Sequence, residues 1–363
     1  MTITQEPVDS ASQSLEAQTS VFCLDPAEAS SWDASLAHCP GATFFHTIAW
    51  ARVLKSAYGY KPAYFATFSG SELRSLLPLM EVSSWLTGRR GVALPFSDES
   101  PPLVPDVQSF RDLHQAAQAH GERRGWKYLE FRGGRPLCGD VLASESFFGH
   151  RLDLAGGESA LFGRFESSTR RAIRKGEQSN LQIEFSRDQE SVRAFHRLLC
   201  ITRRRHGLPP QPYHFFACIQ RHVLAQNHGW VALARLNGVP IAGAVYFHFG
   251  RTVIYKYGAS DGKYQHLRAN NLVMWEAIKR YAASGYTTLD FGRTAFDNEG
   301  LRKFKLSWGT IERSVDYVRQ DLRTGGYVAG KATSSRLRLA RVLRTLPSPI
   351  FRLIGAALYR HIA

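Results

Sequence analysis

Apolar and polar positions alternate over residues 230–236 and 239–249, and the two runs meet at Asn237-Gly238. An Asn-Gly pair supplies the positive φ that a two-residue hairpin turn demands, so the pattern predicts an antiparallel hairpin. A third extended run, 252–258, follows Gly250. The period then changes. Residues 270–284 repeat their apolar positions at helical spacing and stop at Gly285, suited to a helix C-cap. A short β-rich run, 286–291, comes next, and Gly292 is expected to free the backbone to turn.

The same order occurs earlier in the chain. Residues 62–68 and 72–82 read as a hairpin across Ser69-Gly70-Ser71, extended chain continues through 92–95, and a helical pattern covers 107–124. The sequence GWKYLEF at 125–131 then echoes GYTTLDF at 285–291. A final strand is expected to close each unit, near 150–154 in the first and 311–319 in the second. An antiparallel meander followed by a helix and another strand is an α+β arrangement, unlike a regular βαβ alternation. The organisation expected is a disordered leader at 1–20, two related domains at 21–155 and 156–325, and a tail at 326–363.

Composition agrees with two packed domains. The 363 residues are 44% hydrophobic and 12% aromatic, enough for a large core. No run approaches the roughly 18 consecutive apolar residues of a membrane span. The first twenty residues lack the basic lead and apolar stretch of a secretory signal. Five scattered cysteines show no CxxC and no zinc spacing, so no metal site is expected and a reducing cytoplasm fits best. The net charge of +15 implies an anionic partner, whether nucleic acid, a phosphorylated precursor or acidic lipid. Nucleic acid lacks support, because no recognised motif or stacking platform is present.

Several residues are candidates for chemistry. Lys305 lies between Phe304 and Leu306 with Trp308 three positions on, so desolvation can lower its pKa; a snorkelling lysine is the alternative. Arg293 has a planar fork suited to phosphate or carboxylate, or to a bidentate pair with Asp290 or Asp297. Arg302 and Lys303 read equally as a solvated helix face. On a helix, Arg170 and Arg174 share one face while Arg171 and Lys175 share another. His206, in a Gly-Pro-rich turn beside three arginines, is either a neutral proton acceptor or a turn residue. Strand alternation sends Lys256 to the face opposite Tyr255 and Tyr257. Asn270 and Asn271 read as helix caps or as donor contacts. Beyond Gly330 the charge is wholly basic, with one apolar stripe at Leu339, Val342, Leu343 and Leu346 and a second at Ile350, Leu353, Ile354, Ala357 and Leu358.

Four stretches together resemble the FemAB-like family of tandem GNAT transferases. They are Ala49-Trp50-Ala51-Arg52-Val53-Leu54 with Tyr58-Gly59, the basic run from Ser168 to Lys175, Arg203-Arg204-Arg205-His206-Gly207-Leu208-Pro209, and Leu289-Asp290-Phe291-Gly292-Arg293 with Phe304-Lys305 and Trp308-Gly309. The third of these is similar to the family's arginine-rich loop and the last to its strand, turn and FK element. The resemblance spans about residues 40–320. It implies two tandem GNAT-like domains, a mixed central sheet flanked by helices, and transfer of an acyl or aminoacyl group to an amine, often on a phosphorylated cell-wall precursor.

On that resemblance Lys305 polarises the acyl carbonyl and Phe304 lines the pocket. Arg293, Asp290, Arg170, Arg171, Arg174, Lys175, His206, Lys256, Tyr255, Asn271 and Trp308 become candidates for binding substrate. One departure concerns the donor. Ordinary GNAT enzymes carry a glycine-rich pyrophosphate loop before the central helix, whereas Gly262-Lys263-Tyr264-Gln265-His266-Leu267-Arg268-Ala269-Asn270 holds one glycine. No tightly bound cofactor is expected, and acyl-CoA and aminoacyl-tRNA both stand as donors, although no long helical insert supports tRNA. The expected function is a cytoplasmic N-acyltransferase acting on a cell-envelope or exopolysaccharide precursor, including a lipid-linked glycan. An acetyl-CoA-dependent acetyltransferase and a non-catalytic adaptor for anionic lipid or RNA are the alternatives. Residues 331–363 either touch anionic membrane at its inner face or pack on protein.

Overall fold

The computed structural model describes residues 20–29, 31–330 and 348–361. Its strands are β1 (Phe22–Leu24), β2 (Lys61–Ser69), β3 (Glu72–Ser84), β4 (Gly88–Val92), β5 (Trp126–Arg132), β6 (Glu145–Asp153), β7 (Gln182–Ser186), β8 (Gly229–Leu236), β9 (Val239–Phe249), β10 (Thr252–Ser260), β11 (Thr288–Ala295) and β12 (Ile311–Asp321). The helices are α1 (Trp32–Leu36), α2 (Ile48–Tyr58), α3 (Val107–Arg124), α4 (Gly157–Arg164), α5 (Ser167–Glu177), α6 (Gln189–His206), α7 (Tyr213–His222), α8 (Ala269–Ala283), α9 (Glu299–Leu306) and α10 (Ser348–Tyr359).

All twelve strands join one mixed sheet in the order β1-β2-β3-β4-β5-β12-β6-β11-β10-β9-β8-β7. Each half contains the same unit. In the first, β2, β3 and β4 form the meander and α3 crosses to β5, which lies parallel to β4. In the second, β8, β9 and β10 form the meander and α8 crosses to β11, parallel to β10. Local chemistry explains the boundaries: Asp106 caps α3 by accepting from the Ser109 amide, and Gly125 ends it in the left-handed region at φ 66°.

The strands expected to close each half are exchanged. β6 lies between β11 and β12, and β12 pairs with β5 of the first half. Neither terminal strand completes the unit that precedes it. Three further local readings change. Extended chain ends at Val92 rather than 95, because Leu94 and Phe96 take positive φ values of 37° and 63°. Gly292 does not end its strand, which runs on to Ala295. Arg203, Arg204, Arg205 and His206 form the last turn of α6 and not a loop.

Helices α3 and α8 cover one face of the sheet. The other face carries α2, α6 and α7, whose core is common to both halves. Trp50 of α2 is fully buried against Phe44, Phe45, Phe215 and Phe247, and so ties the N-terminal helix to β9 and α7. Full burial of one such apolar side chain stabilises by roughly 1.5–3 kcal/mol.

The basic tail is described only in part. Leu339, Val342, Leu343 and Leu346 lie outside the described residues. α10 packs on the body: Phe351 is buried, the Tyr359 hydroxyl donates to Pro209 O at 3.2 Å, and Arg90 Nη2 donates to His361 O at 2.7 Å. Its other side is open, with Leu353 69% exposed. Among the described residues no helix is long and apolar enough to cross a membrane.

Candidate active site

β10 and β11 pair in parallel only from Thr252–Thr288 to Ile254–Asp290. Past that point each strand carries an irregularity. In β11 the register against β6 shifts between Asp290 and Arg293. Regular alternation would place those two side chains on opposite faces; the extra residue puts both opposite Arg151 and Gly149, on the face shared by the halves. In β10 the shift falls between Tyr255 and Tyr257. Tyr255 therefore packs on Tyr246 and Phe291 in the α8-side core, while Tyr257 joins the opposite core with Lys256 beside its ring. The alternation expected for residues 255–257 fails because of this bulge.

The bulges open onto a cavity of about 270 Å³ bounded by Thr43, Phe45, Asp98, Glu99, Arg151, Asp290, Arg293 and Arg313, among others. Two larger concavities, of about 580 and 570 Å³, lie elsewhere and lack these ion pairs. Charges pair closely around the smaller one. Arg313 forks onto Glu99, and Arg151 Nε donates to Asp290 Oδ2 at 3.0 Å, with Arg151–Glu99 and Arg313–Asp290 contacts both at 3.6 Å completing a ring of four ions. Lys256 Nζ donates to Asp98 Oδ2 at 2.7 Å and lies 5.2 Å from the Phe45 ring centre. Burial opposes ionisation of Asp98, yet Lys256, Arg293 and Lys305 together hold its carboxyl below the usual range. Burial likewise pulls Lys256 downward, and Asp98 only partly offsets this.

Arg293 forms no salt bridge among the described residues. Its guanidinium lies 4.2 Å from the Phe147 ring centre and 5.0 Å from that of Tyr317, so aromatic faces hold it rather than Asp290 or Asp297. The pair expected with Asp290 is absent because Arg151 and Arg313 already occupy that carboxylate.

Lys305 lies behind the β11 bulge and is not among the residues that bound the cavity. It is 2% exposed, and its Nζ donates to Gly292 O at 2.9 Å and Arg293 O at 3.0 Å. The two carbonyls freed by the irregularity thereby gain partners. Burial pushes its pKa down to about 8, partly offset by Asp98 and Asp290. An ammonium has three donors, so two carbonyls leave one N–H. Next to it, His150 is fully buried and its Nε2 donates to Glu312 Oε2 at 3.1 Å, while Glu312 also holds Arg302 by a bidentate pair. Arg302 is thus an ion-pair partner.

Gly292 has φ 68°, and a Cβ there would meet the Asp98 carboxylate at 3.1–3.2 Å. Gly292→Ala is expected to cost about 1–2 kcal/mol from backbone strain and to lower activity through displacement of Asp98. Urea denaturation beside a transfer assay measures both.

The remaining sequence candidates do not converge on this cavity. Phe304 and Trp308 pack on each other in the α8-side core, and Trp308 is fully buried against Phe165. Arg170, Arg171, Arg174 and Lys175 lie on α5, which packs on α8, across the sheet from the cavity. Arg170 Nη1 donates to Gly163 O at 3.0 Å, and Arg174 lies over the Phe162 ring. His206 is exposed at the end of α6. Asn270 and Asn271 fall inside the first turn of α8 rather than capping it, since the cap position is Arg268. Conversely, the sequence reading passed over Asp98, Glu99, Arg151 and Arg313. The segment Pro95-Phe96-Ser97-Asp98-Glu99-Ser100-Pro101-Pro102, with two acids between prolines, was the available signal.

Several amides of the turn before α8 are already engaged, which leaves few for a coenzyme A pyrophosphate. The Lys263 and Tyr264 amides already donate to Asp261, Arg268 N to Gln265 O, and Asn271 N to Arg268 O. The Asp261 carboxylate, which caps that turn, adds negative charge to the segment.

Residues 163–305 match the family model described as acetyltransferase (GNAT) domain. A search of curated protein sequences gives no match. Among solved structures, the chain is similar to FemX at 16% identity and TM-score 0.67, covering 82% of this chain and 96% of that one. It is also similar to the C-terminal domain of a putative lysylphosphatidylglycerol synthetase from Agrobacterium fabrum, at 14% identity and TM-score 0.52 over 85% and 92% of the two chains. A tandem GNAT protein from the clavulanic acid biosynthesis pathway aligns at 10% identity and TM-score 0.52, over 84% and 99%. With its two βββαβ units and exchanged closing strands, the chain has a tandem GNAT fold, and its residues 163–305 match the GNAT acetyltransferase domain model.

Proposed function

We propose that this protein is an N-acyltransferase that joins an acyl or aminoacyl group to an amine on an anionic cell-envelope or exopolysaccharide precursor, at the cavity between β10 and β11. The observation that carries the reading is the β11 bulge. It turns Asp290 and Arg293 to one face and leaves a buried Lys305 ammonium at its carbonyls. In the reaction a neutral amine attacks the acyl carbonyl, a C–N bond forms, an oxyanion develops and collapses, and the donor's leaving group departs. The nitrogen must also lose a proton. Lys305 supplies positive potential for the oxyanion, and Arg293 takes an anionic part of donor or acceptor. Asp98 and Asp290 supply oxygens toward which the amine and its proton are drawn.

The occupied amides and the Asp261 carboxylate in the turn before α8 weigh against acetyl-CoA as donor. The test is to incubate the purified protein with amino-sugar and peptide precursors together with acetyl-CoA or charged tRNA, and to follow product mass. Transfer from a donor to a precursor amine is the expected result. Tight acetyl-CoA binding with acetylation of a simple amine would replace this reading with that of an ordinary acetyltransferase.

Arg293→Gln is expected to raise KM for the anionic substrate about ten- to a hundredfold, on the scale of one charge-assisted hydrogen bond, with kcat much less affected. Steady-state kinetics separates the two. A fall in kcat alone would place Arg293 at the reacting centre instead.

A further inference from the structure

We infer that the face formed by α6 and α10 docks on an anionic lipid bilayer. This inference does not depend on the catalytic reading. Its first observation concerns charge. Residues 191–260 and 322–363 contain no aspartate or glutamate, and the fold brings parts of these two acid-free segments together. The outer stripe of α6 carries Arg193 and Arg197, both exposed, and then Ile201 at 44% exposure. Leu208, just beyond the helix, is 48% exposed. Arg193, Arg197 and Ile201 recur every four residues along one side of the helix.

The second observation is the concavity beside this stripe. About 570 Å³ in volume, it is bounded by Arg193, Arg197, Pro210, Pro212, Tyr213 and Leu353. α10 packs tightly beside it: a Cβ added at Gly355 would come within 2.1 Å of Pro210 O. Tyr359 and His361 fasten the helix end to Pro209 and Arg90. Leu353 thus points outward from a helix that is packed and hydrogen-bonded on its inner side.

Charge decides the class of partner. A second copy would bring two acid-free surfaces together, and like charges repel. A single-stranded nucleic acid needs free aromatic faces, whereas Tyr213 already packs on His196 and accepts from Arg193 Nε at 3.1 Å. Exposed aliphatic side chains among arginines suit the interface of an acidic membrane. The arginines meet headgroup phosphates, and Ile201, Leu208 and Leu353 enter the acyl boundary.

The test is co-sedimentation of the full chain with vesicles of phosphatidylcholine alone or with phosphatidylglycerol added. Binding to the anionic vesicles only is expected. Arg193→Glu with Arg197→Glu should weaken it roughly thirtyfold or more, from about a factor of five for each cation near the surface. The control is Arg171→Glu with Lys175→Glu on exposed α5, which changes net charge equally and should have a much smaller effect. Leu353→Glu provides a second test on α10 and should also weaken binding. Equal losses in the α6 and α5 pairs would show general attraction by net charge and overturn the assignment. So would loss of RNA binding, with vesicle binding intact, in the α6 pair.

Discussion

Lys305→Met is expected to lower turnover by two to three orders of magnitude, the loss that follows removal of one oxyanion-stabilising donor. Two effects contribute. The positive potential at the bulge disappears, and the Gly292 and Arg293 carbonyls lose the partner that fixes the irregular backbone. A pH profile tells them apart. Polarising the acyl oxygen requires the ammonium, so kcat should fall as pH rises through about 8, the value to which burial brings Lys305. The methionine variant should lose this alkaline limb. If turnover falls only in proportion to the folded fraction and the limb persists, Lys305 is structural.

Stability gives a second readout with a definite sign. The folded pKa of Lys305 lies below its ordinary 10.5, so from pH 8 upward the unfolded chain holds more protons at this residue than the native one. Its contribution to unfolding free energy therefore rises with pH, at up to ~1.4 kcal/mol per unit within that window. Subtracting the Lys305→Met curve between pH 8 and 9 removes the contributions of other groups. A flat difference would mean that the native ammonium is not destabilised by burial.

Repeating patterns were legible in the sequence wherever neighbours along the chain decide structure. The hairpin about Asn237-Gly238, the helix from Val107 to Arg124 ending at Gly125, and the second meander all follow from period and turn chemistry. The echo of GWKYLEF in GYTTLDF identified two related units. What stayed hidden depends on partners distant in sequence. β6 and β12 look like closing strands of their own halves, but strand pairing is set by the assembled edge and not by local pattern. One inserted residue in β11 changes which side chains share a face, and no period reveals it. Lys305 was visible through its apolar neighbours. Asp98 was not, because its importance comes from Lys256, far away in the chain.

That pair yields the other large effect. Asp98 sits in the loop after β4, where the Tyr317 hydroxyl lies 2.8 Å from the Asp98 carbonyl, and its carboxylate meets Lys256 at the β10 bulge. The contact therefore fixes the cavity from both halves. Asp98→Asn is expected to cost about 3–5 kcal/mol, because it leaves a buried ammonium without its counter-charge. Lys256→Met should cost a similar amount by stranding the carboxylate. Combining them removes both charges, and a buried pair replaced by neutral groups can be nearly neutral in stability. The double variant should thus recover most of the loss in urea denaturation. Its activity should not recover, since the Asp98 carboxylate is absent from the cavity wall in Asp98→Asn and in the double variant alike. Additive stability losses would show that the two residues act separately, and recovered turnover would remove Asp98 from the site.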